Sequence, residues 1–185
     1  MSTAIATTPL ITAEEYLRLA DDGALTELVR GRRVMMNRPY TDHGYRMGEI
    51  AAIIRDFVRA HNLGRVVVGD AGVVTQRDPD TVRGSDIAFY SFDRVAPGPT
   101  PKECWPAPEL AVEILSPHDR WQDLYTKIGE YLDAGVNCVI VVDPVDRQVQ
   151  TYTPDHPVRI WNEQETLTLS TGLPGFSVPV ASLFE

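Results

Sequence analysis

A chain of 185 residues, 43% hydrophobic and 23% charged, is long enough to bury a good core and has the balance of an ordinary globular protein. Its net charge of −9 argues against a general nucleic-acid binder, because phosphate contacts rely on clustered cations, although a local patch can oppose the total. No run approaches the ~20 apolar residues of a membrane span, and the opening MSTAIATTPL lacks a charged then apolar leader, so a cytoplasmic protein is expected.

Thr12 and Glu15 fit a capping box and predict a short helix over 13–20. A hairpin follows, with strands over 25–28 and 33–36 turning at Arg30 and Gly31. Arg30, Arg32, Arg33 and Arg38 make this hairpin the densest basic cluster in the sequence; it reads equally as a phosphate-facing patch or as a solvated edge. Met47, Ile50, Ile53, Ile54, Phe57 and Val58 recur at helical spacing and predict a helix over 44–61, stopped by Gly64. Strands are expected over 65–68 and 73–75 around a Gly-Asp-Ala-Gly turn, then a loop over 76–81. A short strand over 87–90 is entered through Asp86. The Pro-rich stretch 93–108 is a lid, an interface segment or a plain surface connection.

The apolar strand 110–115 is interrupted by one charge, Glu113. A helix over 121–134 follows, with Gly135 as its stop. The β-branched run 137–142 has the pattern of a strand buried on both faces. Strand, helix and strand from 113 to 142 predict a parallel crossover, and 148–180 an antiparallel extension. The expected fold is a mixed α/β sheet with helices on at least one face. Cys138 lies in that buried run and reads as a core residue. Cys104 sits in the Pro-rich loop, and no CxxC or histidine spacing suggests zinc.

Three residues stand out chemically. Glu113 lies within ELAVEILSP, where burying a carboxylate is costly unless it is paired or bound to a metal. Alternation puts it on one strand face with Ala111 and Leu115. Asp86 opens the apolar run IAFY, where an acidic side chain can reach from a strand end into a cleft, or simply cap a turn. Lys127 lies on the next helix, with Tyr131 four residues on along the same face, and a crossover helix could bring it near Glu113. Two carboxylates on neighbouring strands can hold Mg²⁺ or Mn²⁺ and leave room for water and phosphate. A nearby ammonium can stabilise charge in the transition state. That is phosphodiester hydrolysis chemistry.

ELVRGRRVMM, RGSDIAFYS, PELAVEILSP and DLYTKIGEYLDAGVNCVIVVDP together make the chain resemble the Uma-two family of restriction-endonuclease-like proteins, within the PD-(D/E)XK nuclease superfamily. The resemblance covers nearly the whole chain, and PELAVEILSP is its most specific part. It implies a single restriction-endonuclease-like domain over 1–185: a mixed β-sheet flanked by helices, with the antiparallel C-terminal extension. It also implies Asp86 and Glu113 as metal ligands for Mg²⁺ (or Mn²⁺), with DNA as the substrate. Ser85 replaces the proline of the superfamily's motif, and Leu115 stands where its lysine is expected, so the resemblance implies that Lys127 supplies the ammonium from the helix. Glu27 matches an acidic family position, either as a further metal or water ligand or as a partner for a local arginine. His43, near the start of the long helix, is a candidate for phosphate positioning or proton transfer, or a structural residue.

The leading reading is a Mg²⁺-dependent endonuclease. A degenerate nuclease fold serving as a nucleic-acid-binding or assembly module is the alternative, and an enzyme acting on another phosphodiester or nucleotide is a third. A homodimer is expected, since cutting two strands benefits from two sites. No phosphate-binding GxxxxGK[ST] loop and no GxSxG nucleophile elbow is present.

Overall fold

The computed structural model describes residues 9–20, 22–38, 40–100, 105–117 and 119–185. Helix α1 (Ala13–Leu17) starts with the predicted capping box: the Thr12 side chain accepts from the Glu15 backbone, and the Glu15 carboxylate accepts from the Thr12 backbone N–H. Strands β1 (Thr26–Val29) and β2 (Arg32–Met35) form the expected hairpin, with Arg30 and Gly31 both at positive φ in its turn. Helix α2 (Thr41–Ala60) begins three residues earlier than the periodicity predicts, because its first turn is polar.

Strands β3 (Gly64–Gln76) and β4 (Thr81–Ser91) correct the sequence reading. The Gly-Asp-Ala-Gly segment does not turn the chain. It is a bulge inside one continuous strand, between Val68 and Ala71, with Gly69 and Asp70 both at positive φ. The strand expected over 87–90 is eleven residues long, and Asp86 lies in its interior rather than at its entry. Arg83, Gly84, Ser85 and Asp86 look like loop residues, yet they are strand because β3 pairs with them, Val73 with Arg83, Gly72 with Gly84 and Ala71 with Ser85, and their polar side chains are satisfied locally or across the sheet. The buried Ser85 hydroxyl, for example, donates to the Ile87 carbonyl at 2.9 Å.

Strands β5 (Leu110–Ile114) and β6 (Cys138–Asp143) pair in parallel and are joined by α3 (Trp121–Asp133), as the crossover predicts. Strands β7 (Gln148–Thr153) and β8 (His156–Asn162) extend the same sheet antiparallel, while β9 (Thr166–Thr168) and β10 (Ser177–Pro179) form a separate pair. The main sheet runs β2-β1-β4-β5-β6-β7-β8, with β3 on the other side of β4. A last turn of 3-10 helix, Val180–Leu183, packs into the core.

Helices cover both faces. On one, Ile50, Ile54 and Val58 of α2 pack with Ile87, Val112, Ile114, Ile140 and Val142. On the other, Leu124, Ile128 and Tyr131 of α3 pack with Ala111, Val139 and Val141. Alternation along β5 therefore aims Glu113 at α3, while Val112 and Ile114 face α2. Cys138 is buried in the α2-side core; Cys104 lies outside the described residues. The described part of the 93–108 connection is tied down rather than lid-like: Arg94 donates to the Ala107 and Pro108 carbonyls, and Trp105 packs edge-on against Tyr90.

Gly64 opens β3 where no side chain fits. A Cβ there would lie 2.0 Å from the Tyr90 carbonyl oxygen and 2.8 Å from the Ser91 Cα, both backbone atoms that cannot swing aside. Gly64→Ala should destabilise the protein by about 3 kcal/mol through overpacking, read as a lowered urea midpoint with an unchanged slope.

Candidate active site

The sheet forks at Asp86. Strand β4 pairs with β5 from Ile87 to Phe89, but at Val82 its partner on the same edge is Leu28 of β1. Between these contacts the Ile114 N–H has lost its strand partner. The Asp86 carboxylate supplies one, accepting from it through Oδ2 at 2.7 Å. Its other oxygen, Oδ1, lies 3.1 Å from His43 Nε2, and His43 Nδ1 lies 3.2 Å from the Ser116 hydroxyl. Asp86 is thus held by β5 below and by the first turn of α2 above. The Asp86 hydrogen bond raises the His43 pKa above its ordinary value, against the opposing effect of burial.

Glu113 is 7% exposed, and two residues of α3 reach it from positions one turn apart. Lys127 Nζ donates to Oε2 at 2.7 Å, and the Tyr131 hydroxyl donates to Oε1 at 2.9 Å. Burial, helped by the charge of Asp86, outweighs the pull of Lys127 and Tyr131 and leaves the Glu113 carboxyl raised to about 7. Burial works against the Lys127 ammonium, but Glu113 and Glu27 more than offset it and raise its pKa.

Glu27 comes from β1 and is 4% exposed. Its Oε2 accepts from Arg83 at 2.7 Å, its Oε1 from the Gly84 backbone at 3.0 Å, and Lys127 Nζ stands 3.5 Å from Oε1. The arginine that pairs with it is thus Arg83 of β4, not one from its own hairpin. Arg83 also donates to Glu130 of α3 at 2.6 Å, which pins the helix over the sheet and fixes Lys127 between Glu27 and Glu113.

Glu27, His43, Asp86, Glu113 and Lys127 all line one open cavity of about 450 Å³. Asp70 and Arg38 line it too, and the sequence reading singled out neither as a site residue in its own right. The bulge in β3 turns Asp70 toward the cavity, and Gly84 gives it room: a Cβ at Gly84 would stand 3.0 Å from that of Asp70. Burial raises the Asp70 pKa, and the Asp86 charge raises it further. A usable signal existed in VVVGDAGVV, one carboxylate in an apolar run, the same anomaly that exposes Glu113. Ser116 and Asp119 form a turn, with the Ser116 N–H donating to Asp119 Oδ2 at 2.8 Å.

The donor set suits a hard cation. Asp70, Asp86 and Glu113 offer oxygen atoms to one solvent-open space, and each of these carboxylates raises or is raised by another's charge. Among the described residues no three or more His, Cys, Asp or Glu side chains form a ready metal-holding group. Mg²⁺ does not need one, since it keeps several waters and takes one or two carboxylates.

A search of curated proteins gives no match. A solved structure from Anabaena variabilis, described as "a putative nuclease belonging to DUF820", is similar to the chain with a TM-score of 0.81 and 20% sequence identity. The likeness covers 94% of this chain and 97% of that one, and at this identity it establishes the fold. Among the described residues, no helix is long and apolar enough to cross a membrane. The family model Uma2, described as "Putative restriction endonuclease", matches residues 13–181, and the chain belongs to that family.

Proposed function

We propose that this protein is a metal-dependent endonuclease that hydrolyses DNA phosphodiester bonds in the cavity between β4, β5 and α3. The observation that carries the reading is that Asp86, Glu113 and Asp70 line one cavity, beside the buried Lys127 ammonium held between Glu27 and Glu113. Asp86 and Glu113 would hold Mg²⁺ or Mn²⁺, with Asp70 as a further oxygen donor within the same space. When bound, the cation supplies Lewis acidity toward a phosphate and a lowered pKa for water.

The chain's own residues do the rest. Lys127 stands where its positive charge offsets the negative charge that develops on the phosphate. Glu27 and Arg83 are positioning residues, because every contact of Glu27 serves to hold Lys127, Gly84 or Arg83 in place. His43 is a positioning residue: its ring, held between Asp86 and the Ser116 hydroxyl, orients the Asp86 carboxylate at the cavity. A homodimer would set two such sites on the two strands of a duplex, and light scattering of the purified protein reads its mass.

The alternative, a degenerate fold that binds without cutting, is favoured by one observation: both Glu113 oxygens are already engaged, by Lys127 and Tyr131. The two readings separate in a plasmid-nicking assay. The nuclease reading expects nicking with Mg²⁺ or Mn²⁺ that disappears in EDTA and in Glu113→Gln. Binding of DNA with no nicking under any divalent ion would leave the binding module.

A further inference from the structure

A second concavity, about 1110 Å³, runs along β3 on the edge that has no strand partner among the described residues. Its floor is apolar, with Val66, Val67, Val68, Tyr90 and Trp105. Its rim is not: among the described residues Arg18, Arg55, Arg59, Arg65 and Arg77 line it, against one acidic residue, Glu14. In a chain of net charge −9, this is a strong local reversal of sign. The five guanidiniums come from the end of α1, from α2, from β3 and from the β3–β4 turn, so only the fold brings them together.

Several of these charges are free to meet a ligand. Arg77 is tied to Glu14 and Asp80, and Arg55 lies 3.8 Å from Asp56. Among the described residues Arg65 donates to carbonyl and hydroxyl oxygens at 96, 98 and 100 and to no carboxylate, and its Nε has no acceptor. Arg18 and Arg59 are exposed and have no acidic partner among the described residues. Guanidinium is weakly hydrated, carries several donors and matches phosphate in geometry.

We infer that this groove is a binding track for the phosphodiester backbone of a nucleic acid, leading it to the cavity described above. The two spaces share a wall: Asp70 lines the cavity, while Val68 and Ala71, its neighbours across the bulge, line the groove. A second copy of the chain is a poorer occupant of the free β3 edge, since edge-to-edge pairing would stack the two arginine sets against each other. As a track for substrate the inference rests on the nuclease reading; as a polyanion site it stands alone.

The test is fluorescence anisotropy of a labelled 20-nucleotide single strand and the matching duplex, in EDTA so that nothing is cut. Two charge-matched variants are compared, Arg18→Gln/Arg59→Gln in the groove and Arg147→Gln/Arg159→Gln outside it, with circular dichroism to check folding. The groove variant should bind about tenfold more weakly at 0.1 M salt, and its slope of log affinity against log salt should shrink by about 1.5, the loss of two phosphate contacts. The control should change less than twofold. Equal weakening in both variants, or no binding by the wild type, overturns the track. So does light scattering that shows a wild-type dimer lost in the groove variant, which would make the edge a self-association surface. Metal-dependent nicking by a groove variant with unchanged binding sinks the track alone; groove-dependent binding without nicking sinks the nuclease reading alone.

Discussion

Replacing Lys127 with methionine should lower the turnover number for cleavage by about 10²- to 10³-fold, the usual loss when one pre-placed charge at a transition state is removed. Methionine is unbranched and only one atom shorter, so packing against Tyr131 is largely preserved. The same change leaves Glu113 buried with only the Tyr131 hydroxyl for a partner. Breaking a buried pair from one side costs about 3 kcal/mol in such a setting. The cost depends on pH with a definite sign. Glu113 already titrates near 7 in the folded protein, above its ordinary 4.5, and loss of the ammonium moves it further up. A carboxyl raised on folding contributes stability that is complete below its unfolded value and is lost as pH rises through its folded value. The variant should therefore lie close to wild type at pH 5, where both fold with the carboxyl protonated, and fall behind only above about 7, so that a deficit shows at pH 8. Urea midpoints at the two pH values check this; a constant deficit would mean that Lys127 acts only through packing.

Asp86→Asn should abolish cleavage, by 10³-fold or more, while changing stability by less than about 1 kcal/mol. The amide oxygen can still accept from the Ile114 N–H, so the fork in the sheet keeps its bridge, whereas the charge that would attract a cation is gone. A loss of several kcal/mol of metal-derived stabilisation corresponds to that rate at about 1.4 kcal/mol per tenfold. Asp86→Ala is different in kind. It leaves the Ile114 N–H unpaired in a buried place and should cost a further 1 to 3 kcal/mol, roughly the penalty for a buried donor with no acceptor. The same Asn variant should lower the His43 pKa, because Asp86 is the main group raising it. Titration of the His43 ring by NMR reads that shift directly. An unmoved His43 would show that the imidazole is not coupled to Asp86 in solution.

The helices were legible because their apolar residues repeat at their own period: Ile50, Ile54 and Val58 on α2, and Leu124, Ile128 and Tyr131 on α3, are the buried ones. The buried parallel strand β6 was legible for a similar reason, as an unbroken β-branched run. Strand β4 was half hidden. Its first residues are polar or small, and only pairing with β3, from Gln76 with Thr81 to Ala71 with Ser85, makes them strand. The bulge at Gly69 and Asp70 was read as a turn because Gly-Asp-Ala-Gly has turn composition, while the pairing of Val68 with Ile87 and Ala71 with Ser85 on one partner keeps the strand going.

The candidate site divides along the same line. Glu113 was visible from its cost, a charge in an apolar run, and the lysine and tyrosine that meet it were visible from the crossover and the four-residue spacing. Asp86 was visible as a charge beside an apolar run, but not its task of bridging the Ile114 N–H, which depends on where β4 leaves β5. Glu27 carried no signal that named Arg83 as its partner, since that pairing crosses strands 56 residues apart. The arginine groove was beyond sequence reading altogether. The densest basic cluster in the sequence is the β1–β2 hairpin, where Arg33 is locked to Asp22 in a two-pronged pair and Arg38 donates to the Gly23 carbonyl. The larger assembly is built from five arginines spread over 60 positions.

The account turns on a divalent cation held by Asp86 and Glu113, and calorimetric titration of Mn²⁺ into the metal-free protein tests that most directly. The wild type should bind Mn²⁺ at pH 7.5, and Asp86→Asn and Glu113→Gln should each weaken it at least tenfold while remaining folded. A wild type that takes up no Mn²⁺, or two variants that bind it as well as the wild type, would contradict the account.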